Sequence, residues 1–155
     1  NLPPDLLTSV SDGAFYGWPY CYWGQNLDPR VKPQRPELVA KSVVPDYALG
    51  AHVAPVGLAL TEKNSFPEEF QYGAFIGEHG SWNRRPRAGY QVVFVPFADG
   101  KPNGLPIEIL TGFISEKKEA NGRPAGVAFD ARGNLLVCDD VGNTIWRVTS
   151  AHTTD

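Results

Sequence analysis

The sequence predicts an all-β fold of the β-propeller type, and three observations carry that prediction. The stretch Gly50-Ala51-His52-Val53-Ala54-Pro55-Val56-Gly57-Leu58-Ala59-Leu60 returns in shortened form as Asn121-Gly122-Arg123-Pro124-Ala125-Gly126-Val127-Ala128-Phe129. Both copies read Pro-x-Gly-apolar-Ala-apolar. The likeness then continues, with residues 74–80 answered by 135–141 and residues 91–95 by 144–148, so each copy is three short apolar runs in the same order. Finally, 16 Gly and 14 Pro interrupt the chain too often for long helices. A unit of short strands returning after several tens of residues is the pattern of a propeller blade.

Composition sets the outer limits. At 155 residues the length fits one domain, and 42% hydrophobic with 12% aromatic residues is ample for a core. A net charge of −3, with no long run of Lys or Arg, argues against nucleic acid or an anionic membrane as partner. No apolar run approaches the roughly 18 residues of a membrane span, and no signal-peptide pattern opens the chain. The chain holds no Met, even at position 1, and is expected to be a mature form or a fragment. Cys21 and Cys138 could pair, but two free thiols are the favoured reading, because free Cys commonly serves as a small buried hydrophobe.

Taken in order, residues 1–15 are polar and turn-rich and read as a surface connection. The block Phe15-Tyr16-Gly17-Trp18-Pro19-Tyr20-Cys21-Tyr22-Trp23-Gly24 is too dense in rings, Gly and Pro for a helix or an alternating strand. It reads first as a packing plug of large rings, and second as a ring-lined wall for a sugar or flat cofactor, with Trp18 and Tyr20 as wall candidates. Pro29, Pro33, Pro36 and Pro45 make the following segment an extended crossing. Residues 1–50 are therefore read as an aromatic and Pro-rich connecting segment. Residues 51–119 are read as a next-to-last blade, with strands near 52–60, 72–78, 90–97 and 106–112. Residues 120–155 are read as a last blade lacking its outer strand, with strands near 123–129, 134–139 and 143–149. Asp99-Gly100 and Arg132-Gly133-Asn134 supply turns. At roughly 40–50 residues per blade, the chain is about two blades plus the connecting segment, the C-terminal part of a longer propeller.

Blade geometry places the chemistry. The first strand of a blade lines the central channel, and its start shares a face with the loop between the second and third strands. That brings together His52 and Arg123, the loop Glu78-His79-Gly80-Ser81-Trp82-Asn83-Arg84-Arg85, and Asp139-Asp140. Guanidinium, imidazole, carboxylate and indole groups around a channel make a rim suited to a polyanion or a sugar. Each has a plainer role open to it. His52 can equally hydrogen-bond a neighbouring loop, one of Arg84 and Arg85 is expected to face the channel, and Asp139-Asp140 before Gly142-Asn143 reads first as turn chemistry. The three His are scattered and no Cys/His spacing fits zinc, so no metal ligands are assigned. Neither a phosphate-binding loop nor a nucleophile elbow is present.

Four segments together resemble the C-terminal part of the soluble pyrroloquinoline-quinone (PQQ)-dependent glucose/sorbosone dehydrogenases. They are Asp12-Gly13-Ala14-Phe15-Tyr16-Gly17-Trp18-Pro19-Tyr20, Gly50-Ala51-His52-Val53-Ala54-Pro55, His79-Gly80-Ser81-Trp82-Asn83-Arg84, and Gly122-Arg123-Pro124-Ala125-Gly126-Val127 with Asp139-Asp140-Val141-Gly142-Asn143. The resemblance implies a six-bladed propeller holding PQQ over its channel, with Ca²⁺ bridging the quinone's acids and oxygens. It implies cofactor-binding roles for Arg84 and Arg123, with His52 and His79 as further contacts and Trp18, Tyr20 and Trp82 as substrate-wall candidates. The glucose-oxidising branch carries a second Arg two positions after the one matching Arg123, where this chain has Ala125, as in the sorbosone-like branch.

The implied reaction is base-assisted hydride transfer from an aldose, sorbosone or related sugar to PQQ, with electrons passing to an acceptor. The implied general base comes from an early blade, outside this chain, so these residues alone are expected to be inactive. The missing N-terminal blades, the sugar and the acceptor are the expected partners, and the location is periplasmic or secreted. Two other readings stand beside this one: a non-enzymatic propeller that binds protein or glycan, and a Ca²⁺-dependent propeller lactonase.

Overall fold

In a computed structural model the described residues are 2–61 and 64–151. The chain divides into two compact units, Asn1–Ala51 and His52–Asp155.

The first unit is more than a connection. Strand β1 (Asp5–Leu7) pairs antiparallel with β4 (Tyr47–Gly50), and β2 (Cys21–Tyr22) forms a small hairpin with β3 (Asn26–Leu27). Asp46 ties down the chain after β1, accepting Ser9 N–H at 2.7 Å and Ser9 Oγ–H at 2.6 Å. Inside the Pro-rich stretch lies a single helical turn, α1 (Pro36–Val39), with Pro36 at its first position. A missing N–H costs nothing there, and the fixed φ of proline already suits a helix. The aromatic block does not act as a buried plug. Trp18 is 83% exposed, and its other rings are half-buried. Two-stranded ribbons and one helical turn offer too little surface to enclose six large rings.

The second unit holds two antiparallel sheets. In the first, β5 (Pro55–Leu60), β6 (Gly73–Glu78), β7 (Gln91–Ala98) and β9 (Ile107–Leu110) lie side by side, and β8 (Lys101–Pro102) turns back on the end of β7. Asp99 and Gly100 make that tight turn, both with positive φ (51° and 75°). A 3₁₀ turn at Glu68–Phe70 lies between β5 and β6. In the second sheet β10 (Pro124–Phe129), β11 (Leu135–Asp139) and β12 (Thr144–Val148) follow in order.

Alternation in these strands sends one set of side chains into a shared core. Phe75, Val92, Phe94, Leu135 and Val137 are completely buried, with Phe66, Phe70, Val127 and Phe129 packed around them. Phe75 is the hub, its ring 4.9 Å from that of Phe94 and edge-on to Phe129 at 5.5 Å. Each such side chain contributes about 1.5–3 kcal/mol by leaving water.

Glycines set how closely the sheets approach. Gly57 and Gly77 are paired across β5 and β6, and the Ala125 carbonyl oxygen of β10 occupies the space where either would carry a Cβ. The motif glycine of β5 is therefore the seat of the motif of β10. Gly126, at the same place in the second copy, is exposed and would meet only Cys138 Sγ at 3.9 Å.

Candidate functional site

The loop from β6 to β7 forms the site because its base is stitched shut. His79 N–H and Gly80 N–H donate to the Ala54 and Val53 carbonyls, and Tyr90 N–H donates to the Glu78 carbonyl at 2.9 Å. Ser81 N–H donates to the Ala88 carbonyl at 2.8 Å, and Ala88 N–H returns to Ser81 Oγ at 3.0 Å. Residues 82–87 are left as a protruding tip, on which Trp82 is 82% exposed and Arg87 is also exposed. Arg84 is half-buried on this tip.

Arg123 leads into β10 and reaches this loop. Its Nη2 donates to the Tyr90 hydroxyl at 2.8 Å, its Nη1 stands 3.2 Å from His79 Nδ1, and its Cζ lies over the Tyr90 ring, 4.9 Å from the centroid. Arg87 Nη1 donates to the same hydroxyl at 2.6 Å. Two guanidinium groups thus converge on one neutral oxygen, and neither has an ion-pair partner among the described residues.

His79 bridges to a carboxylate on its other side, with Nε2 3.0 and 3.1 Å from the two Asp140 oxygens. An arginine only donates, so Nδ1 accepts and the ring proton of neutral His79 sits on Nε2, directed at Asp140. Both ring nitrogens are then engaged. In this arrangement His79 orients its neighbours and has no free lone pair with which to take a proton.

Asp139 works from beneath. Its Oδ1 accepts Arg123 N–H and Gly142 N–H, each at 2.8 Å, and its Oδ2 lies 3.3 Å from Trp146 Nε1. Burial disfavours the charge, but the backbone donors of Arg123, Gly142 and Val141, with the Trp146 indole, outweigh it and hold the carboxyl below the usual range. Gly122 and Gly142 crowd the carboxylate so closely that a Cβ on either would strike it. Asp139 therefore does the turn chemistry expected of it and also pins the start of β10.

His79, Arg123, Asp139 and Asp140 come together, while His52 makes no hydrogen bond to this cluster among the described residues. His52 is half-buried at the entry to β5 with a left-handed backbone, φ 64°. Trp18 and Tyr20 belong to the first unit. Sequence reasoning passed over Tyr90 and favoured Arg84 over its neighbour Arg87 in the same cationic cluster, because the roles of both residues depend on a loop closing. The available signal was Gly89-Tyr90 directly after the basic tip, a pair that marks a turn ending in a large ring.

Residues 4–151 match the profile of the TrAA12-like family. The chain belongs to that family. An uncharacterized protein of Borreliella burgdorferi is 33% identical over 150 residues, covering 96% of this chain and 39% of the relative. Among solved structures, the holo form of the pyranose dehydrogenase PQQ domain from Coprinopsis cinerea matches with a TM-score of 0.68 at 26% identity, over 88% of this chain and 40% of that one. A calcium structure of Trichoderma reesei Carbohydrate-Active Enzymes Family AA12 matches with a TM-score of 0.66 at 24% identity, over 86% of this chain and 38% of that one. A glucose dehydrogenase reaches 0.69 at 20% identity, over 96% of this chain and 38% of that one, a likeness of fold alone. The TrAA12-like chain is thus all-β and propeller-like, and spans about two fifths of the length of these relatives. No helix among its described residues is long and apolar enough to cross a membrane.

Proposed function

We propose that this TrAA12-like chain is part of an exported, PQQ-dependent sugar dehydrogenase, and that its loop between β6 and β7 and the start of β10 hold the carboxylates of the quinone. One observation carries the reading: the guanidinium groups of Arg87 and Arg123 converge on the Tyr90 hydroxyl, and neither is ion-paired to a carboxylate among the described residues. Neither guanidinium is ion-paired, so both can donate to one carboxylate, while the carboxylates of Asp139, on the Arg123 backbone, and Asp140, on His79, already offset their charge. Family membership and the 26% identical PQQ domain support the choice of anion.

The residues fit the group. Nη1 and Nη2 of Arg123 are each engaged once by side-chain partners, which leaves Nε–H and a second Nη2 proton for a carboxylate. Arg87 is exposed beside it, and Arg84 lies on the same tip. His79, held between Arg123 and Asp140, orients the guanidinium. Trp82, standing exposed on the tip, offers a ring face to a sugar.

When bound, PQQ accepts the hydride that a sugar carbon gives up. The protein's part here is to hold and orient it. The described residues contain no group of three or more His, Cys, Asp and Glu side chains that could hold a metal ion.

Titration of the protein with PQQ, with and without Ca²⁺ and followed by tryptophan quenching, tests the reading. Arg123→Ala is expected to weaken binding about tenfold or more. Equal affinity in wild type and variant would remove Arg123 from the cofactor site.

A further inference from the structure

We infer that Tyr90 is the positioning residue of this site, the side chain that fixes the plane of the Arg123 guanidinium before any ligand arrives. Its importance as an oriented cation rests on the cofactor reading above, whereas the fixing itself rests on geometry alone.

Three independent features meet at Tyr90. Its hydroxyl is a three-way junction that donates to the Ser81 carbonyl at 2.5 Å and accepts from Arg87 at 2.6 Å and Arg123 at 2.8 Å. A phenol oxygen has one proton and two lone pairs, so this junction is saturated and its geometry has one solution. The ring lies beneath both cations, with the Cζ of Arg123 at 4.9 Å and that of Arg87 at 5.7 Å from its centroid. Arg123 is thus held in plane by a hydrogen bond and from below by a π face.

The chain also accepts local cost to place this ring. Tyr90 is only 2% exposed and has φ 66°, a left-handed backbone that a bulky residue adopts rarely and at a penalty. Gly80 lies against the ring, which occupies the space its Cβ would need, and Gly89 packs on the backbone of Gly80 and Val53. Two glycines and a left-handed tyrosine are more than the turn needs, because a Gly at position 90 would close it without penalty. A packed aromatic with a saturated hydroxyl under two arginines accounts for them together.

The position of His79 sharpens the argument. It meets Arg123 through one contact at 3.2 Å and is partly open to solvent, so it steadies the guanidinium less than a buried ring and hydroxyl together. Tyr90 provides the positioning, and His79 is secondary.

The test reads the guanidinium directly. In ¹⁵N-labelled protein the side-chain N–H signals of Arg123, assigned by their loss in Arg123→Lys, report rotation about its C–N bonds. Tyr90→Phe keeps the ring and removes the junction, and rotation is expected to quicken roughly tenfold. In His79→Ala, where Tyr90 remains, slow rotation is expected to persist. Unchanged rotation in Tyr90→Phe, or rotation released by His79→Ala alone, would overturn the inference. The His79→Ala measurement keeps it open to refutation even where Tyr90→Phe does not fold. Titration of the same samples with PQQ separates the two ideas: released rotation with quinone binding weakened about tenfold supports both. Released rotation in a protein that never binds quinone supports the positioning role and overturns the cofactor reading.

Discussion

The Asp139 carboxylate accepts the backbone N–H of Arg123 at 2.8 Å, so the start of β10 is pinned to the end of β11 by a side chain. The same oxygen accepts Gly142 N–H, and the other lies near the Trp146 indole. One residue thereby sets both the entry to a strand and the turn into the next.

Removing that pin leaves donors without acceptors. Asp139→Ala is expected to cost about 3 kcal/mol in urea unfolding, since a buried donor left unpaired costs about 1–3 kcal/mol. The carboxyl is held below its usual range, so its contribution is fully present above the unfolded value of about 3.9 and is lost as pH falls through the lower folded value. Melting temperatures of wild type and Asp139→Asn should therefore converge below about pH 4. A constant gap down to pH 2 would show that ionisation of Asp139 contributes nothing.

Two glycines at equivalent motif positions should respond oppositely. Gly57→Ala drives a Cβ into the Ala125 carbonyl oxygen and is expected to destabilise by about 3 kcal/mol, because backbone cannot move aside as a flexible side chain does. Gly126→Ala meets only a sulfur at ordinary contact distance and should stay within about 0.5 kcal/mol of wild type. Chemical denaturation of both variants decides it, and equal losses would contradict the stacking described.

In the first unit Arg30 grips Asp28 through two parallel hydrogen bonds, Nε at 2.8 Å and Nη2 at 2.6 Å. The side-chain bonds, then the Arg30 backbone N–H, lower the Asp28 pKa to about 2. Carboxyl ¹³C shifts should follow that titration in wild type. In Arg30→Ala the midpoint should rise toward the unperturbed value of about 3.9. A midpoint near that value in wild type would mean that the bidentate pair does not form in solution.

The two thiols should differ in reactivity. Cys21 is 4% exposed, whereas Cys138 is exposed on β11, and both are free. Maleimide labelling followed by peptide mass analysis should modify Cys138 promptly and Cys21 only on unfolding. A disulfide-linked peptide or equal labelling rates would contradict this.

Much of the β structure was legible because it depends on short-range pattern. The runs from Pro55 to Leu60 and from Pro124 to Phe129 share a motif that marks them as equivalent, but only the second turns its large side chains inward, whereas Val56, Leu58 and Leu60 of the first are exposed. The pairing of Asp5–Leu7 with Tyr47–Gly50 was not legible, since three residues carry no period and their partner lies some forty positions away. The single turn Pro36–Val39 was hidden by its own prolines, which signal extension unless one happens to occupy the first helical position. Cys138 was read inside an apolar strand, yet it lies on the face that Gly126 leaves open.

What the sequence by itself determined is the strands of the second unit other than β8, and their order, because apolar runs and turn residues act over a few positions. Blade geometry had put Arg123, the loop holding His79 and Asp139-Asp140 on one face, and the tertiary structure decided which contacts they make, with Tyr90 included and His52 left out among the described residues. Arg123 reaches His79 and Tyr90 across 44 and 33 positions, a juxtaposition set by the Ala125 carbonyl seating on Gly57 and by a loop closing over Gly80. Such close backbone approaches depend on shape across two sheets, and no local pattern records them.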